Sequence, residues 1–440
     1  MEKINSLTGM LDLISSKSDQ NEFANKIFST EESLRVIFEN FSLCEIRTPA
    51  LENTNLFKRS VGDTSDIVNK ELYTFLDKNE KSISLRPEGT ASVIRSVVEK
   101  KLDGQLHKLW YLGPMWRYER PQKGRFRQFN QAGVEILGYE EGVAEFDIVS
   151  LICSINKELK IHEPILKINH LGDQDAKKEY CKALTDFLKP MENDLDEKDQ
   201  ERLKKNPLRI LDSKNEEIKK ILVNAPSISD FLPSSSIDLL TKLKKTFSDD
   251  CNIQIDYNLV RGLDYYTGLV FEAISSDLGA QDAYLGGGRY DSLCKNLGGK
   301  DLPAIGMAIG IERLALISNY KHKNKTSISF IIISGNEEPK AYKIAHDLRA
   351  LNKQINIDVQ LSYASLKSKL RKANKNNASY AVIIGDEELT SNTAILKSLK
   401  EKDSEQSILK IDELKKFIFC LLYTSDAADD LLCVDLGGRR

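Results

Sequence analysis

Two strand-like segments joined by a polar loop limit the possible folds of this chain more than any other feature. Residues 108–119 and 129–138 have the apolar and aromatic content of strands, and the connecting loop 120–128 is polar. Strands joined by a short loop pair in antiparallel fashion, and their side chains alternate between the two faces of the sheet. The sequence therefore predicts a long antiparallel hairpin.

One face of this hairpin is unusually polar. If the hairpin is symmetric about Gly124, Arg117 lies opposite Gln131, on a face that carries charged and amide groups where a core requires apolar ones. Burying such groups costs free energy unless they pair with each other or with a ligand. A solvent-exposed face is the alternative. Gly133 favours the ligand, because a position without a side chain between two polar groups leaves room for one.

Length and charge set broader limits. A chain of 440 residues predicts two or three domains, and 41% apolar with 29% charged residues is globular composition. The formal net charge of −3 argues against a protein that coats nucleic acid indiscriminately. A nucleic-acid partner would need local basic patches, and 117–127 and 365–375 each contain five basic residues. Solvated surface is the alternative interpretation of either patch.

Cysteine usage and hydropathy indicate the compartment. The seven cysteines are odd in number and scattered without CxxC spacing, which predicts reduced thiols in the cytoplasm. The histidines do not cluster with the cysteines, so no metal-ligand spacing is visible. We expect no membrane association, because no apolar segment has the length of a signal peptide or a membrane span.

Composition changes along the chain predict three segments. Residues 1–325 form the first domain, in which about 170–232 is rich in Lys, Glu and Asp and predicts a helical insertion. After a polar linker at 319–326, strands alternate with helices, which predicts a small α/β domain at 326–418 with a largely parallel sheet. Residues 419–440 do not continue this pattern, and we interpret them as a non-native tail.

Local signals predict the boundaries of several elements. A strand at 82–86 is ended by proline and glycine, and Thr90 is a candidate cap for the helix that follows. We expect a strand at 253–260, a glycine turn at 286–288 and a helix at 311–318. Neither GxxxxGK[ST] nor GxGxxG after a strand occurs, so arginines would have to bind any nucleotide phosphates.

Five sequence blocks carry a family resemblance. The stretch from Trp116 to Gly138 resembles motif 2 of bacterial histidyl-tRNA synthetases, and Leu85–Thr90 resembles the amino-acid loop of that family. Leu259–Gly268, which ends in RGLDYYTG, resembles the histidine-specific motif. Gly306–Leu314 and Glu45–Leu51 resemble class II motifs 3 and 1, which indicate only the class.

The resemblance implies an α+β fold, with a class II synthetase core of antiparallel sheet flanked by helices, a helical insertion and a C-terminal α/β anticodon-binding domain. It implies ATP-dependent ligation of L-histidine to tRNA(His) through a histidyl-adenylate, with Mg²⁺ accompanying ATP. The implied partners are tRNA(His), histidine, ATP and a second copy of the chain, with motif 1 at the dimer contact. It implies no metal site fixed by protein side chains alone.

The resemblance also assigns site residues. Arg117 would hold the α-phosphate of ATP, Arg125 and Arg313 the outer phosphates, and Glu119 would also belong to the ATP site. Arg261 would contact the α-phosphate and the histidine carboxylate. Arg261, Arg117 and Arg313 would be the catalytic residues. The implied histidine pocket comprises Glu88, Gly89, Thr90, Gln131, Glu135, Tyr265, Tyr266 and Tyr290, and the implied contacts with the tRNA acceptor end are Gln122 and Lys123.

Two positions depart from the family pattern, and rival functions remain open. Thr8 stands where the family generally has arginine, and Asn130 replaces a common histidine. The main rival is the regulatory paralogue of histidine biosynthesis, a non-catalytic subunit that typically lacks the anticodon domain and has an eroded arginine set. A class II synthetase for another amino acid is a further alternative, against which Gln131, Glu135 and the paired tyrosines count.

Overall fold

The computed structural model describes residues 3–15, 21–62, 65–213, 215–279, 282–320, 326–333, 338–352, 355–360, 364–400 and 406–421. These residues form two compact units. The first comprises the described residues from 23 to 320 with the N-terminal segment up to residue 14, and the second comprises the described residues from 326 onward together with residues 15, 21 and 22.

The first unit is built on a large, mainly antiparallel sheet. Its described strands are β1 (Cys44–Glu45), β2 (Leu51–Asn53), β3 (Thr74–Leu76), β4 (Ser82–Leu85), β5 (His107–Trp116), β6 (Gln128–Leu137), β7 (Ile165–His170), β8 (Asn252–Ile255), β9 (Thr267–Ile274), β10 (Ala283–Arg289) and β11 (Ala304–Gly310). Eight of them form one sheet in the order β1-β5-β6-β11-β10-β9-β7-β8, with parallel pairing only at β1·β5 and β7·β8. The remaining three form a small sheet in the order β2-β4-β3.

Helices cover this sheet on both faces. The described helices of the first unit are α1 (Glu22–Asn40), α2 (Thr54–Val61), α3 (Thr90–Glu99), α4 (Ala144–Glu158), α5 (Gln174–Leu188), α6 (Glu197–Lys205), α7 (Glu216–Leu222), α8 (Ser234–Thr246), α9 (Leu293–Asn296) and α10 (Ile311–Ile317). Residues of α1, α4, α8 and α10 share one apolar core with the central strands. Helices α5 to α7 contribute apolar residues to a second core, which also contains Leu259, Tyr265 and Tyr266.

Alternation along β6 separates this core from a polar face. Val134 and Ile136 are buried in the first core, whereas Gln131 and Glu135 point to the opposite face, which is also buried. Since side chains alternate along a strand, one apolar series fixes the orientation of the polar series. The polar face of the predicted hairpin is therefore an interior surface, and the solvent-exposed alternative is excluded for these residues.

The register of the hairpin differs from the prediction. Trp116 pairs with Gln128, and Arg117 donates its backbone N–H to the carbonyl of Arg127 at 2.9 Å, so the symmetric arrangement about Gly124 is wrong. Gln131 instead pairs with Gly113. The loop closes through reciprocal backbone hydrogen bonds between Gln122 and Arg125. Between this turn and the paired strands lie four residues on one side, 118–121, and only Phe126 on the other, and this inequality moves the centre of the strand pairing toward the first strand.

Two other local expectations are wrong. The glycines at 286–288 lie inside β10 and pair on both sides, with β9 and β11, because these neighbours supply the hydrogen bonds that a turn would lack. The strand expected at 253–260 ends at Ile255, and the chain then crosses the end of β7 to reach β9. The strand before Pro87 and the helix after Gly310 are confirmed.

The second unit is a smaller sheet with helices. Its described strands are β12 (Thr326–Ile332), β13 (Ile355–Val359), β14 (Tyr380–Ile384), β15 (Thr393–Ser398) and β16 (Gln406–Lys410), and its described helices are α11 (Glu338–Leu351), α12 (Leu366–Lys375), α13 (Asp386–Ser391) and α14 (Ile411–Cys420). The order is β13-β12-β14-β15-β16, with parallel pairing among the first three and antiparallel pairing thereafter. Residues 422–440, most of the expected tail, lie outside the described residues.

Among the described residues, the helices are all too short or too polar to traverse a lipid bilayer.

Candidate active site

A cavity of about 670 Å³ opens on the polar face of the large sheet. The hairpin, the turn before α3, the segment between β8 and β9, and the first turn of α10 all contribute to its walls. Most residues that the sequence predicted for a site meet here, and the predicted residues that line the cavity are Glu88, Thr90, Arg117, Glu119, Arg125, Gln131, Arg261, Tyr265, Tyr266, Tyr290 and Arg313.

Four predicted residues do not line the cavity. Glu135 has no exposed surface and lies beneath Gly306, on the floor of the cavity. Gly89 packs against the ring of Tyr111. Gln122 and Lys123 are exposed at the tip of the hairpin loop. The structure thus keeps the loop tip apart from the residues of the floor.

Glu135 is the most deeply buried acid of the site. Its Oε1 accepts a 2.7 Å hydrogen bond from the hydroxyl of Thr90, and its Oε2 accepts one from the hydroxyl of Tyr290. Burial raises the pKa of this carboxyl from 4.5 to about 8, against the lowering effect of the two hydroxyl donors. A carboxyl with such a pKa is able to exchange a proton with a bound base near neutral pH.

Glu88, and not Thr90, caps α3. The Glu88 carboxylate accepts the backbone N–H of Thr90 at 2.7 Å and that of Ala91 at 3.0 Å, which satisfies two donors of the first turn. The hydroxyl of Thr90 is therefore available to Glu135. Burial raises the pKa of Glu88, and the two backbone N–H donors oppose that shift.

Gln131 is held by a tyrosine that the sequence reasoning missed. Its Oε1 accepts hydrogen bonds from the N–H of Gly89 at 3.2 Å and from the hydroxyl of Tyr111 at 3.3 Å. Tyr111 stands opposite Gly133 on the neighbouring strand, and a Cβ at Gly133 would collide with its ring. The expectation that Gly133 leaves room for a ligand is wrong, because Tyr111 fills that space. A glycine opposite an aromatic residue in a hairpin is the signal that would have found it.

Three tyrosines form an aromatic wall beside this floor. The ring centroids of Tyr265 and Tyr266 are 4.7 Å apart, and those of Tyr265 and Tyr290 are 5.6 Å apart. All three are buried, and burial raises each phenol pKa above its ordinary value, to about 12 for Tyr266. The hydroxyls therefore stay protonated at neutral pH and serve as neutral hydrogen-bonding groups.

The other end of the cavity carries arginines of the hairpin. Arg117 donates from Nε to the carbonyl of Pro87 at 2.9 Å, and its guanidinium lies 5.3 Å from the centre of the Phe129 ring. Arg125 pairs with Glu119 at 2.9 Å, and Arg117 lies 4.0 Å from the same carboxylate. Glu119 thus holds two guanidinium groups beside the cavity.

Arg313 reaches the same end from α10. Its Nε donates to the carbonyl of Gly124 at 3.3 Å and its Nη1 donates to the carbonyl of Ala283. Burial, followed by the charge of Arg125, lowers the pKa of Arg313, although an arginine remains charged at neutral pH. Adjacent cations destabilise one another, so this end of the cavity favours a polyanion.

Arg261 crosses the middle of the cavity and pairs with Glu272, a second residue that sequence reasoning missed. Its Nη1 donates to Oε1 of Glu272 on β9. Its guanidinium lies directly above Gly286 of β10, where a Cβ would collide with it. An acid in the otherwise apolar run of β9 was the available signal for Glu272.

The two departures from the family pattern lie at different depths. Asn130 donates its backbone N–H at 2.8 Å and its side-chain amide at 3.2 Å to Glu312, the neighbour of Arg313. Burial raises the pKa of Glu312 to about 7. Thr8 is exposed, while the adjacent Gly9 accepts the backbone N–H of Arg127 at 2.7 Å. Asn130 therefore contacts the arginine end and not the floor around Glu135.

The cavity combines two chemistries. Its floor offers buried carboxyl, amide and phenol groups that can pair with a small polar cation or a nitrogen heterocycle. Its middle and its other end together offer four guanidinium groups. Among the described residues, no group of three or more His, Cys, Asp or Glu is arranged to hold a metal ion.

The chain was compared with known proteins and protein families. A family model described as histidyl-tRNA synthetase matches residues 20–314, and one described as an anticodon binding domain matches residues 324–421. Histidine–tRNA ligases of Francisella philomiragia and Francisella tularensis subsp. holarctica are each 42% identical to the chain over 429 residues, which covers 95% of it and 99% and 100% of the relatives. The apo histidyl-tRNA synthetase of Staphylococcus aureus is a structural match, with a TM-score of 0.76 and 31% identity over 95% of this chain and all of that chain.

Proposed function

The chain belongs to the histidyl-tRNA synthetase family, and we propose that the cavity described above is where it activates L-histidine with ATP and transfers it to tRNA(His). The ligation of histidine to tRNA follows from the family and from the relatives that cover nearly the whole chain. One observation carries the assignment of the site. Buried Glu135 accepts hydrogen bonds from Thr90 and Tyr290, and these two residues line the same cavity as four arginines.

The arginine end suits the first reaction. The histidine carboxylate attacks the α-phosphorus of ATP, forms the acyl-phosphate bond of the adenylate, and pyrophosphate leaves. Two anions must approach each other, and charge builds on the oxygens around phosphorus, so fixed cations accelerate the step without a protein nucleophile. We assign Arg117 and Arg261 to the α-phosphate, and Arg125 with Arg313 to the outer phosphates.

The floor suits the amino acid. We assign Glu88, Thr90 and Gln131, with the Gly89 backbone, to the ammonium end, and Glu135, Tyr265, Tyr266 and Tyr290 to the imidazole end. A buried site built to pair two ring nitrogens leaves its own polar groups unsatisfied when an apolar side chain enters. That penalty supplies discrimination of roughly 10⁴ or more without editing.

We propose that ATP enters as its Mg²⁺ complex. Mg²⁺ is usually bound by one or two carboxylates together with substrate phosphates. Glu119 and Glu272 line the cavity beside the arginines and are the carboxylates that fit this role. The ion would neutralise phosphate charge, while Arg117 and Arg261 orient the α-phosphate.

We propose that the chain acts as a homodimer through the face of α1 and β1. Two exposed apolar residues, Phe28 and Val36, lie on α1, and β1 is the edge strand of the eight-stranded sheet. Uncovered edge strands and apolar side chains favour burial against a second copy. Val36→Glu is expected to shift the protein toward monomer in sedimentation velocity, whereas Leu106→Glu, at another exposed apolar site, leaves the dimer intact.

We propose that the first unit, within 1–325, carries catalysis and that 326–418 binds the anticodon, with the acceptor end meeting Gln122 and Lys123. The basic patch on α12 is smaller than its sequence indicated, because Lys369 is buried and donates to the carbonyl of Ile332 at 2.8 Å. Exposed Lys367, Arg371 and the neighbouring basic residues support phosphate contacts. A cytoplasmic location agrees with the scattered cysteines.

Exchange of labelled pyrophosphate into ATP tests the site. The purified protein would be assayed with each of the twenty amino acids, beside Arg261→Ala and the control Arg59→Ala, which alters an exposed arginine on α2. We expect exchange with histidine alone, abolished in Arg261→Ala and unchanged in the control. If a folded wild-type protein exchanges with no amino acid, the regulatory-subunit alternative replaces this proposal.

A further inference from the structure

The segment 256–266 joins β8 to β9 across the end of β7 and carries Arg261, Tyr265 and Tyr266. Its first part is tied to the sheet, because the Asn169 amide donates to the carbonyls of Tyr257 at 3.2 Å and Leu259 at 3.0 Å. Beyond Leu259, the side chain of Arg261 still reaches the sheet through Glu272 on β9. From Gly262 to Tyr266 the segment is held by side chains that lie outside the sheet.

Those contacts come from the helices that follow β7. Arg209 donates from Nη2 to the carbonyl of Gly262 at 2.7 Å and from Nε to Oδ1 of Asp264 at 3.0 Å. Asn206 donates to the same Oδ1 at 2.8 Å. Lys177 on α5 donates to the carbonyl of Tyr266 at 3.1 Å. Three side chains thus hold the segment on both sides of Tyr265.

Asp264 is held from its other side as well. A Cβ on Gly62, at the end of α2, would collide with the Asp264 carboxylate, and the backbone N–H of Asp264 faces the carbonyl of Val61 at 3.5 Å. The carboxylate is therefore enclosed between α2 and Arg209. Both members of the Arg209–Asp264 ion pair are mostly buried, with side chains 13% and 26% exposed.

We propose that Arg209, assisted by Asn206 and Lys177, is a positioning residue for histidine activation. It fixes the segment on which Arg261 and the tyrosine pair stand, and touches no reacting group itself. This inference rests on the proposed roles of Arg261, Tyr265 and Tyr266. It assigns the helices after β7 a part in the first half-reaction.

The physical reason is the precision that phosphoryl transfer requires. Catalytic groups must be held within about 0.5 Å of the productive geometry, and a misplacement of about 1 Å costs on the order of 10²-fold in rate. Gly262, directly after Arg261, has open space where a side chain would lie, so the chain itself restrains little at this position. The guanidinium of Arg209 supplies the missing restraint, because it donates to Gly262 and Asp264 at the same time.

The test compares variants of the full-length protein in histidine-dependent pyrophosphate exchange. Arg209→Gln keeps most of the side-chain volume and removes the charge and the paired guanidinium N–H donors. We expect kcat/KM for histidine to fall roughly ten-fold or more, as for the loss of a charge-assisted hydrogen bond, with a smaller change in KM for ATP. Arg209→Lys can reach only one of the two acceptors and should recover part of the loss.

Lys205→Gln is the matched control. Lys205 lies on α6 close to Asn206 in sequence, is half-exposed, and pairs only locally with Glu201. We expect its kinetics and melting temperature to equal those of the wild type. A double-mutant cycle of Arg209→Gln with Asp264→Asn should show a combined loss smaller than the sum of the two single losses, because both changes break the Arg209–Asp264 bond while the bonds to Gly262 and Asn206 are separate.

The outcomes separate this inference from the proposed function. Wild-type exchange with histidine, together with normal kinetics in Arg209→Gln, overturns the positioning role and leaves the function standing. Additive effects in the cycle also overturn it. If Arg209→Gln does not fold, Asn206→Ala, which removes a single bond to Asp264, takes its place. A kcat/KM that is unchanged in that variant while its melting temperature falls assigns these contacts to stability alone and overturns the proposal.

Discussion

Tyr290 donates its hydroxyl hydrogen to Oε2 of Glu135 on the floor of the cavity. The acceptor has no exposed surface, and burial raises its pKa to about 8 despite that hydrogen bond. At pH 7 the floor therefore contains a largely protonated carboxyl. A histidine ring that enters this floor meets a group able to act as donor or acceptor, depending on the proton it keeps.

The pKa of Glu135 predicts how stability depends on pH. The folded-state pKa lies above the ordinary 4.5, so the folded protein binds the extra proton and its free energy of unfolding falls as pH rises from about 4.5 to about 8. Glu135→Gln cannot titrate, and the decline over this window should shrink by on the order of a few kcal/mol. Thermal unfolding of the ligand-free proteins from pH 5 to 9 measures this. Parallel curves for variant and wild type would contradict it.

Gly306→Ala should damage the histidine floor selectively. The new methyl group would collide with Oε2 of Glu135 and crowd the carbonyl of Val134 at 2.7 Å, so the carboxyl must move off Tyr290. We expect kcat/KM for histidine to fall by about 10²-fold, in line with a misplacement of about 1 Å. The control is Gly104→Ala, where the nearest atom is the flexible Nζ of Lys300 at 3.5 Å. Pyrophosphate exchange at varied histidine concentration measures both, and equal values for the two variants would refute the prediction.

Arg313→Gln should affect ATP more than histidine. Arg313 meets the cavity beside Arg125 and remote from the Glu135 floor, and one fixed donor to a reacting phosphate contributes about 10² to 10³ in rate. We expect kcat/KM for ATP to fall within that range, with KM for histidine changed by less than about three-fold. Arg59→Gln, on the exposed side of α2, should leave both constants unchanged. A change confined to the kinetic constants for histidine would contradict the assignment of Arg313 to the ATP phosphates.

Phe330→Ala should separate the activities of the two units. Phe330 is fully buried in the core of the second unit, and truncating such a residue costs about 3–5 kcal/mol. We expect tRNA charging to fall as this unit unfolds, while histidine-dependent pyrophosphate exchange persists because the cavity residues lie in the first unit. Ile408→Ala, at an exposed apolar residue of the same unit, is the control. Equal loss of charging and exchange would show that the cavity requires the second unit.

The sequence by itself determined the parts of the fold that depend on local periodicity. Alternation along 129–138 required one apolar and one polar face, and the buried apolar series of Val134 and Ile136 then placed Gln131 and Glu135 on the site face. Proline followed by glycine ended β4 and opened α3. Without either glycine cradle for phosphates, the sequence also indicated that arginines bind the nucleotide, and four of them do line the cavity.

Tertiary structure decided what depends on partners distant in the chain. The hairpin register follows from the unequal arms of its loop, 118–121 against Phe126, and the strand through Gly286 follows from pairing on both sides, which no local pattern encodes. Tyr111 fills the space at Gly133, and Arg209 holds Asp264 across more than fifty residues of chain. Periodicity tells which face a side chain takes, because it is a property of the backbone. The partner that satisfies a buried polar group is set by packing, since many partners are chemically acceptable and only the folded chain brings one of them within hydrogen-bonding distance.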